Sequence, residues 1–179
     1  MNARHRQTLL VTLGAIVTAA CTSAVRVGSP STVSANAVLH DASGRQVGTV
    51  TLTDSYAGVL VTGTVTGIGS GAHGIHVHET GRCEPPFASA GGHFNPQHKH
   101  HGFKSPEGNH AGDLPNIDAP ASGPLKFELL LPGVSLTGRN GVLDDDGAAV
   151  VIHSGADDYM TDPAGGSGSR VACGVITSR

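Results

Sequence analysis

Seven residues of this chain pair metal-ligating side chains with spacings that can bring them together. His76 and His78 flank Val77. On an extended strand, side chains two apart share a face, so both imidazoles can reach one ion while Val77 packs the other way. His93 follows in Gly91-Gly92-His93-Phe94-Asn95-Pro96, and His101 comes shortly after it. His110 and Asp113, with Gly112 between them, can close on one ion from a tight turn. His153 ends the apolar run Val150-Val151-Ile152. Neutral imidazoles suit zinc and copper, and a carboxylate is an acceptable fourth zinc ligand. Six histidines and one aspartate fall one ligand short of two four-coordinate sites, unless one ligand is shared.

Such a set needs rigid elements to hold it, and the chain offers strands. Residues 35–40, 46–52 and 59–66 are short runs rich in Val, Leu and Thr with period-two alternation, separated by turns such as Asp41-Ala42-Ser43-Gly44. Further strand candidates are 74–78, 126–131, 148–153 and 171–177. This spacing predicts an all-β, antiparallel sandwich or barrel. No stretch has a capped 3.6-residue period, so helix content should be low. With 26 Gly and 10 Pro in 179 residues, the composition also speaks for turns and loops. Two long stretches lack strand signals. Residues 79–121 are rich in His, Gly and Pro, and residues 155–169 are almost devoid of apolar side chains. Loops this long need something besides a hydrophobic core to order them, and metal and a disulfide are the natural candidates.

An apolar fraction of 38% is too low for a membrane-embedded protein and sufficient for one compact domain. Lys and Arg number 11 against 14 Asp and Glu, which leaves no basic footprint for nucleic acid. The first 20 residues read as an export signal: Arg4, His5 and Arg6 precede the apolar run from Thr8 to Ala20. That run is too short to span a bilayer, which takes about 20 residues. Ala19-Ala20-Cys21 resembles a bacterial lipoprotein signal, in which Cys21 becomes the lipidated first residue. Thr18 departs from the aliphatic usual there, and ordinary signal cleavage near the same alanines is the other reading. Residues 21–34 are small and polar and read as a flexible tether, with the domain expected at 35–179. Export places Cys83 and Cys173 where disulfides persist; they form either a bridge or two buried thiols.

Four blocks together resemble the copper/zinc superoxide dismutase family, in its bacterial secreted branch. They are Gly74-Ile75-His76-Val77-His78-Glu79, Gly92-His93-Phe94-Asn95-Pro96, His110-Ala111-Gly112-Asp113-Leu114 and Gly168-Ser169-Arg170-Val171-Ala172-Cys173-Gly174-Val175-Ile176. The similarity runs in order from about Ala35 to Arg179. It implies a Greek-key antiparallel β-sandwich, or flattened barrel, whose two long loops form the metal site. It implies copper on His76, His78, His93 and His153, and zinc on His93, His101, His110 and Asp113. His93 then bridges the ions, which removes the ligand shortfall. Asp157 matches a carboxylate linking one zinc and one copper histidine, Arg170 the active-site arginine, and Cys83 with Cys173 the family disulfide. The activity implied is disproportionation of superoxide to oxygen and hydrogen peroxide. Copper would cycle between two oxidation states, with His93 passing a proton and Arg170 orienting the anion.

Some residues depart from the family pattern. The 155–169 loop holds Asp157, Asp158 and Asp162 but no Lys, where relatives often carry lysines that steer superoxide inward. Guidance must then come from Arg170, Arg82, Lys99 and Lys104, and a near-diffusion-limited rate is not expected. His98 and His100 are extra, and are read as exposed loop histidines rather than alternative zinc ligands or a metal-recruiting patch. His73 is read as packing, His40 as a strand end, and Asp144-Asp145-Asp146 as an exposed turn rather than a calcium site. The competing function is a non-enzymatic copper- or zinc-binding envelope lipoprotein, which would need neither Arg170 nor His153. A structural adhesion module would need no ligand set at all. Either a monomer or a homodimer fits the sequence, in the cell envelope facing periplasm or exterior.

Overall fold

The computed structural model describes residues 33–138 and 140–179. The expected signal segment, Cys21 and most of the expected tether lie outside these described residues. Among the described residues nine strands follow in order: β1 (Ser34–Asp41), β2 (Gln46–Ser55), β3 (Gly58–Val65), β4 (Gly71–His73), β5 (Ile75–His78), β6 (Ile117–Ala119), β7 (Leu125–Pro132), β8 (Ala149–His153) and β9 (Arg170–Ser178). β1 opens at Ser34, one residue inside the stretch expected to be tether. Helical structure among the described residues is limited to a 3-10 turn at Ala88–Ala90.

The alternation read from the sequence maps onto one buried face. Ala35, Ala37 and Leu39 of β1 and Val59, Val61 and Val65 of β3 are buried, while Thr62 and Thr64 reach partly into solvent. In β2 the phase slips between Val47 and Val50, both buried. The cause is a bulge: Leu39 pairs with Gly48 and His40 with Gln46, leaving Val47 as the extra residue.

All pairings are antiparallel, and the main sheet runs β5-β8-β9-β1-β2-β3-β7, with β4 and β6 forming a separate pair. The chain crosses between opposite ends of this sheet from β3 to β5, back from β5 to β7, and again from β7 to β8, as a Greek key does. The sheet curls on itself. Ile75 and Val77 at one end and Leu131 at the other end belong to one buried cluster. The fold is therefore the all-β flattened barrel that the sequence predicts.

β8 is buried along its whole length because both of its faces are covered. Val150 and Ile152 enter the main core, whereas Ala149 and Val151 meet Phe87, Ala90 and Cys173 on the outer face. His76 and His78 lie on that same outer face, opposite Val151 and Ala149 in register. Their burial is complete only because the 79–116 and 154–169 segments fold over them. A second bulge, between Ile152 and His153, leaves Val171 unpaired and sets His153 opposite Arg170. A bulge here re-aims two strand-end side chains toward one place.

Candidate metal centre

β5 supplies His76 and His78, both fully buried, and β8 supplies His153 at its last position. The 79–116 segment comes back along β5: Phe94 N donates to Val77 O at 2.8 Å, and Val77 N donates to Gly112 O at 2.9 Å. This sets His93 opposite His78 and Asp113 opposite His76. Gly112 is required at this crossing, because a Cβ there would stand 2.2 Å from Val77 O.

Seven side chains meet in two buried groups that share His93. His76, His78, His93 and His153 bring ligand-capable atoms within 4.8 Å of one another, and so do His93, His101, His110 and Asp113. Each histidine of the first group has one ring nitrogen engaged and the other without any partner. His76 Nε2 donates to Asp157 Oδ2 at 2.8 Å, His78 Nδ1 to Gly91 O at 3.0 Å and His153 Nδ1 to Gly168 O at 3.3 Å. His93 Nδ1 stands 2.8 Å from Asp113 Oδ1. The orphans are His76 Nδ1 and Nε2 of His78, His93 and His153. Buried polar atoms are seldom left unpaired, and four facing one spot require a shared acceptor of lone pairs. An all-imidazole set is suited to copper.

In the second group the atoms stand at ligand-to-ligand spacing. Asp113 Oδ1 lies 3.2 Å from His101 Nδ1 and 3.4 Å from His110 Nδ1, and the Nδ1 atoms of His93 and His110 are 3.3 Å apart. A tetrahedron built on zinc–ligand distances of about 2.0–2.1 Å has edges of ~3.3 Å. Three imidazoles and a carboxylate therefore fit zinc in both type and size. Asp113 Oδ2 accepts from Gly102 N at 2.8 Å and His110 N at 3.0 Å, which turns Oδ1 toward the group.

Asp157 ties the two groups together. Its Oδ2 takes His76 Nε2–H and its Oδ1 lies 3.0 Å from His101 Nε2. Asn116 clasps the backbone of Asp157 in both directions, at 2.8 and 2.9 Å. Such outer partners fix the tautomer and aim of each ligand ring. Cys83 and Cys173 form a disulfide that joins the 79–116 segment to β9. On the same segment, Phe87 O and Gly91 O each accept from Arg170, at 2.6 Å.

The electrostatics favour ligation. Burial lowers His78 to about 2, aided by His93 and Arg170. Burial lowers His153 to about 3, and His93 to about 4 against the pull of Asp113. These rings are neutral at ordinary pH, with lone pairs free. For His101 burial acts against the charge, but the carboxylates of Asp113 and Asp157 outweigh it and raise the group to about 9. Both carboxyls resist the effect of burial and are held well below the usual carboxylate range by their histidines.

A cavity of about 310 Å³ opens onto the site, lined by Glu79, His93, His98, His110, Ala164 and Arg170 among others. Arg82, Lys99 and Lys104, expected to help guide an anion, do not line it. Arg82 faces Glu84 at 3.6 Å, and Lys104 donates to Asp158 O at 3.3 Å and sits over the Tyr159 ring. His98 and His100 are exposed and join neither buried group; His100 lies between Glu107 and Asp162. His73 is buried, with Nδ1 on His153 O at 2.8 Å. The sequence carried no sign of three parts: the Gly91 and Phe87 carbonyls, the Asn116 clasp, and Glu79 beneath Gly92. Backbone acceptors leave no trace in residue types, and Glu79 stood inside a motif without a role.

Comparison with known proteins agrees with this geometry. A family model described as copper/zinc superoxide dismutase matches residues 46–176. The chain is 45% identical over 146 residues to copper-zinc superoxide dismutase 2 of Aquifex aeolicus, covering 79% of this chain and 85% of that one. It is also 45% identical over 148 residues to a copper-zinc superoxide dismutase of Caulobacter vibrioides, covering 80% and 85%. The crystal structure of a SOD-like protein from Bacillus subtilis is similar with a TM-score of 0.76 at 39% identity, covering 79% and 97%. A match that runs through the paired histidine groups, the disulfide and Arg170 alike leaves one conclusion: the chain belongs to the copper/zinc superoxide dismutase family.

Proposed function

We propose that the protein disproportionates superoxide to oxygen and hydrogen peroxide. His76, His78, His93 and His153 would hold copper, and His93, His101, His110 and Asp113 would hold zinc. The observation that carries this reading is the set of four buried, unpartnered ring nitrogens beside a half-buried arginine. Bound copper supplies one-electron exchange, and zinc is redox-silent. The chain itself does the rest. Arg170 keeps its charge although burial lowers its pKa, so a fixed cation draws and orients the anion at the cavity floor. His93 lines the cavity and turns Nδ1 to the Asp113 group, which leaves Nε2 as the atom able to hold a proton beside the substrate. The two long loops exclude bulk water from the buried groups.

The reading includes export to the cell envelope, with lipid anchoring through Cys21 as its finer form. The strand order bears on where such an anchor would attach. β1 starts beside the end of β9, with Ala35 opposite Ser178, whereas Arg170 begins β9 at its far end. Eight steps at ~3.3 Å each separate these ends by about 26 Å, so an N-terminal anchor would join the barrel at the end away from Arg170.

The protein loaded with copper and zinc should compete with cytochrome c for superoxide, and His153→Ala should abolish this while the fold persists. Full activity in metal-stripped protein would refute the reading. For the anchor, Cys21→Ser should move the protein from the membrane to the soluble fraction.

A further inference from the structure

The Gly91 carbonyl has two tasks. It accepts from His78 Nδ1 at 3.0 Å and from Arg170 Nη2 at 2.6 Å, using both of its lone pairs. It therefore fixes the aim of one proposed copper ligand and the position of the anion-binding cation. Its own position must be held by something, because it lies in a loop next to an open cavity. Gly91 has φ 74° and ψ −156°, a conformation that L side chains rarely adopt.

The peptide unit joining Gly91 to Gly92 is rigid and planar, with its C=O and N–H directed oppositely. The carbonyl end holds His78 and Arg170. At the other end, Gly92 N donates to Glu79 Oε1 at 2.8 Å. Glu79 is also tied to the adjoining Gly92–His93 peptide unit through its backbone, with its N donating to Gly92 O at 3.0 Å. Its side chain fills the space where a Gly91 Cβ would sit, 2.7 Å from Oε1 and 2.8 Å from Cγ. A carboxylate on the N–H end polarises the peptide and strengthens its carbonyl as an acceptor.

We propose that Glu79 is a positioning residue for the dismutase reaction, acting through the Gly91–Gly92 peptide on Arg170 and His78. The proposal rests on the dismutase reading. It runs against the simple electrostatic expectation. Glu79 lines the cavity, and a negative charge there would ordinarily repel superoxide, so removing it should speed the reaction. The peptide link makes removal slow it.

The test compares Glu79→Ala and Glu79→Gln with the parent protein carrying both metals. Glu79→Gln keeps an amide oxygen at the Oε1 position, whereas Glu79→Ala keeps nothing there. The expected result is a loss of roughly three- to tenfold in kcat/KM for Glu79→Ala, with metal content intact, and recovery of most of it in Glu79→Gln. The Cu(II) electron paramagnetic resonance of Glu79→Ala should shift as the His78 ring loosens. In zinc-loaded, copper-free protein the Gly92 amide should exchange with solvent at least tenfold faster in Glu79→Ala than in Glu79→Gln, a readout independent of turnover. In an Arg170→Ala background the Glu79→Ala loss should shrink to the part carried by His78. A rate increase in both variants, or an unchanged Gly92 amide in Glu79→Ala, would overturn the proposal. If Glu79→Ala does not fold, Glu79→Asp takes its place, with a shortened reach that must reproduce the amide and rate effects. A parent protein without dismutase activity would refute the functional reading instead, while the amide data would still report on the peptide link.

Discussion

Asp157 decides which nitrogen of two histidines is free. Its two oxygens take the Nε2 sides of His76 and His101, so both rings turn their Nδ1 atoms toward the metal groups. An Asp157→Asn amide offers only one acceptor oxygen. One ring must then lose its partner or move its proton onto the metal-facing nitrogen. Zinc affinity should fall roughly 10–100-fold, the usual loss when an outer partner of a metal histidine is removed, as measured by chelator competition. Unchanged affinity would mean that packing alone orients the rings. The site histidines also set an unusual pH response for the metal-free protein. His78, His93 and His153 are depressed to about 2, 4 and 3, below their ordinary value of about 6.5. Below that ordinary value the unfolded chain binds protons that the folded one refuses, so their stabilisation is present above pH ~6.5 and is lost progressively as the pH falls through these folded values. His101 is raised to about 9, so its contribution is present below pH ~6.5 and is lost as the pH rises through 9. Thermal unfolding of chelator-treated protein should therefore show a maximum near neutral pH. Zinc should remove the alkaline fall, because ligation requires His101 to be neutral in any case. A flat profile from pH 5 to 9 would contradict these charge states.

Among the elements, the 79–116 segment depends most on a covalent tie. The Cys83–Cys173 bridge closes a loop with a sequence separation of 90 and fastens the Phe87 and Gly91 carbonyls beside the strand that carries Arg170. Replacing both cysteines by serine should cost about 4–5 kcal/mol by loop-entropy reasoning, read from urea unfolding. It should also lower the dismutase rate at full metal content, because Arg170 loses its backbone frame; a stability loss with an unchanged rate would separate the two effects. β1, β2, β3 and β7 were legible because one face of each is the more buried, which period-two alternation records, whereas β5 and β8, buried at every position, were legible as short apolar runs between turns. β4 and β6 were not, since three residues are too few to show a period and their Gly- and Pro-rich surroundings read as loop. The ligands were legible by residue type, and their assembly into two groups came from the family resemblance. What stayed hidden was the work of main-chain atoms: the two carbonyls on Arg170, the bulge that sets His153 against it, and the left-handed Phe87 at φ 75°.

At the scale of the whole molecule, the protein's own charge offers an anion little guidance toward the cavity. The protein carries a formal net charge of −3, and Arg170 is the one Lys or Arg lining the cavity among the described residues. The 154–169 loop adds Asp158, whose carboxyl is held below the usual range by hydrogen bonds from Thr161 and Met160 and so stays charged. Among the described residues no Lys or Arg besides Arg170 lines the cavity, so little of the steering that can raise on-rates by 10-fold or more comes from its walls. A lysine placed in this loop should restore part of it. Ala164 is the suitable position: it lines the cavity, and only its carbonyl is engaged, by Ser167. A lysine stem can lie along the wall and keep its ammonium in water. Ala164→Lys should raise kcat/KM roughly threefold at low ionic strength and make it fall more steeply with salt, since the added attraction is screened over about 10 Å at 0.1 M. Ala164→Glu should act in the opposite direction. Pulse radiolysis over a salt series reads both slopes. If neither substitution changes the rate, encounter is not limiting and the cavity floor, not the surrounding field, sets the turnover.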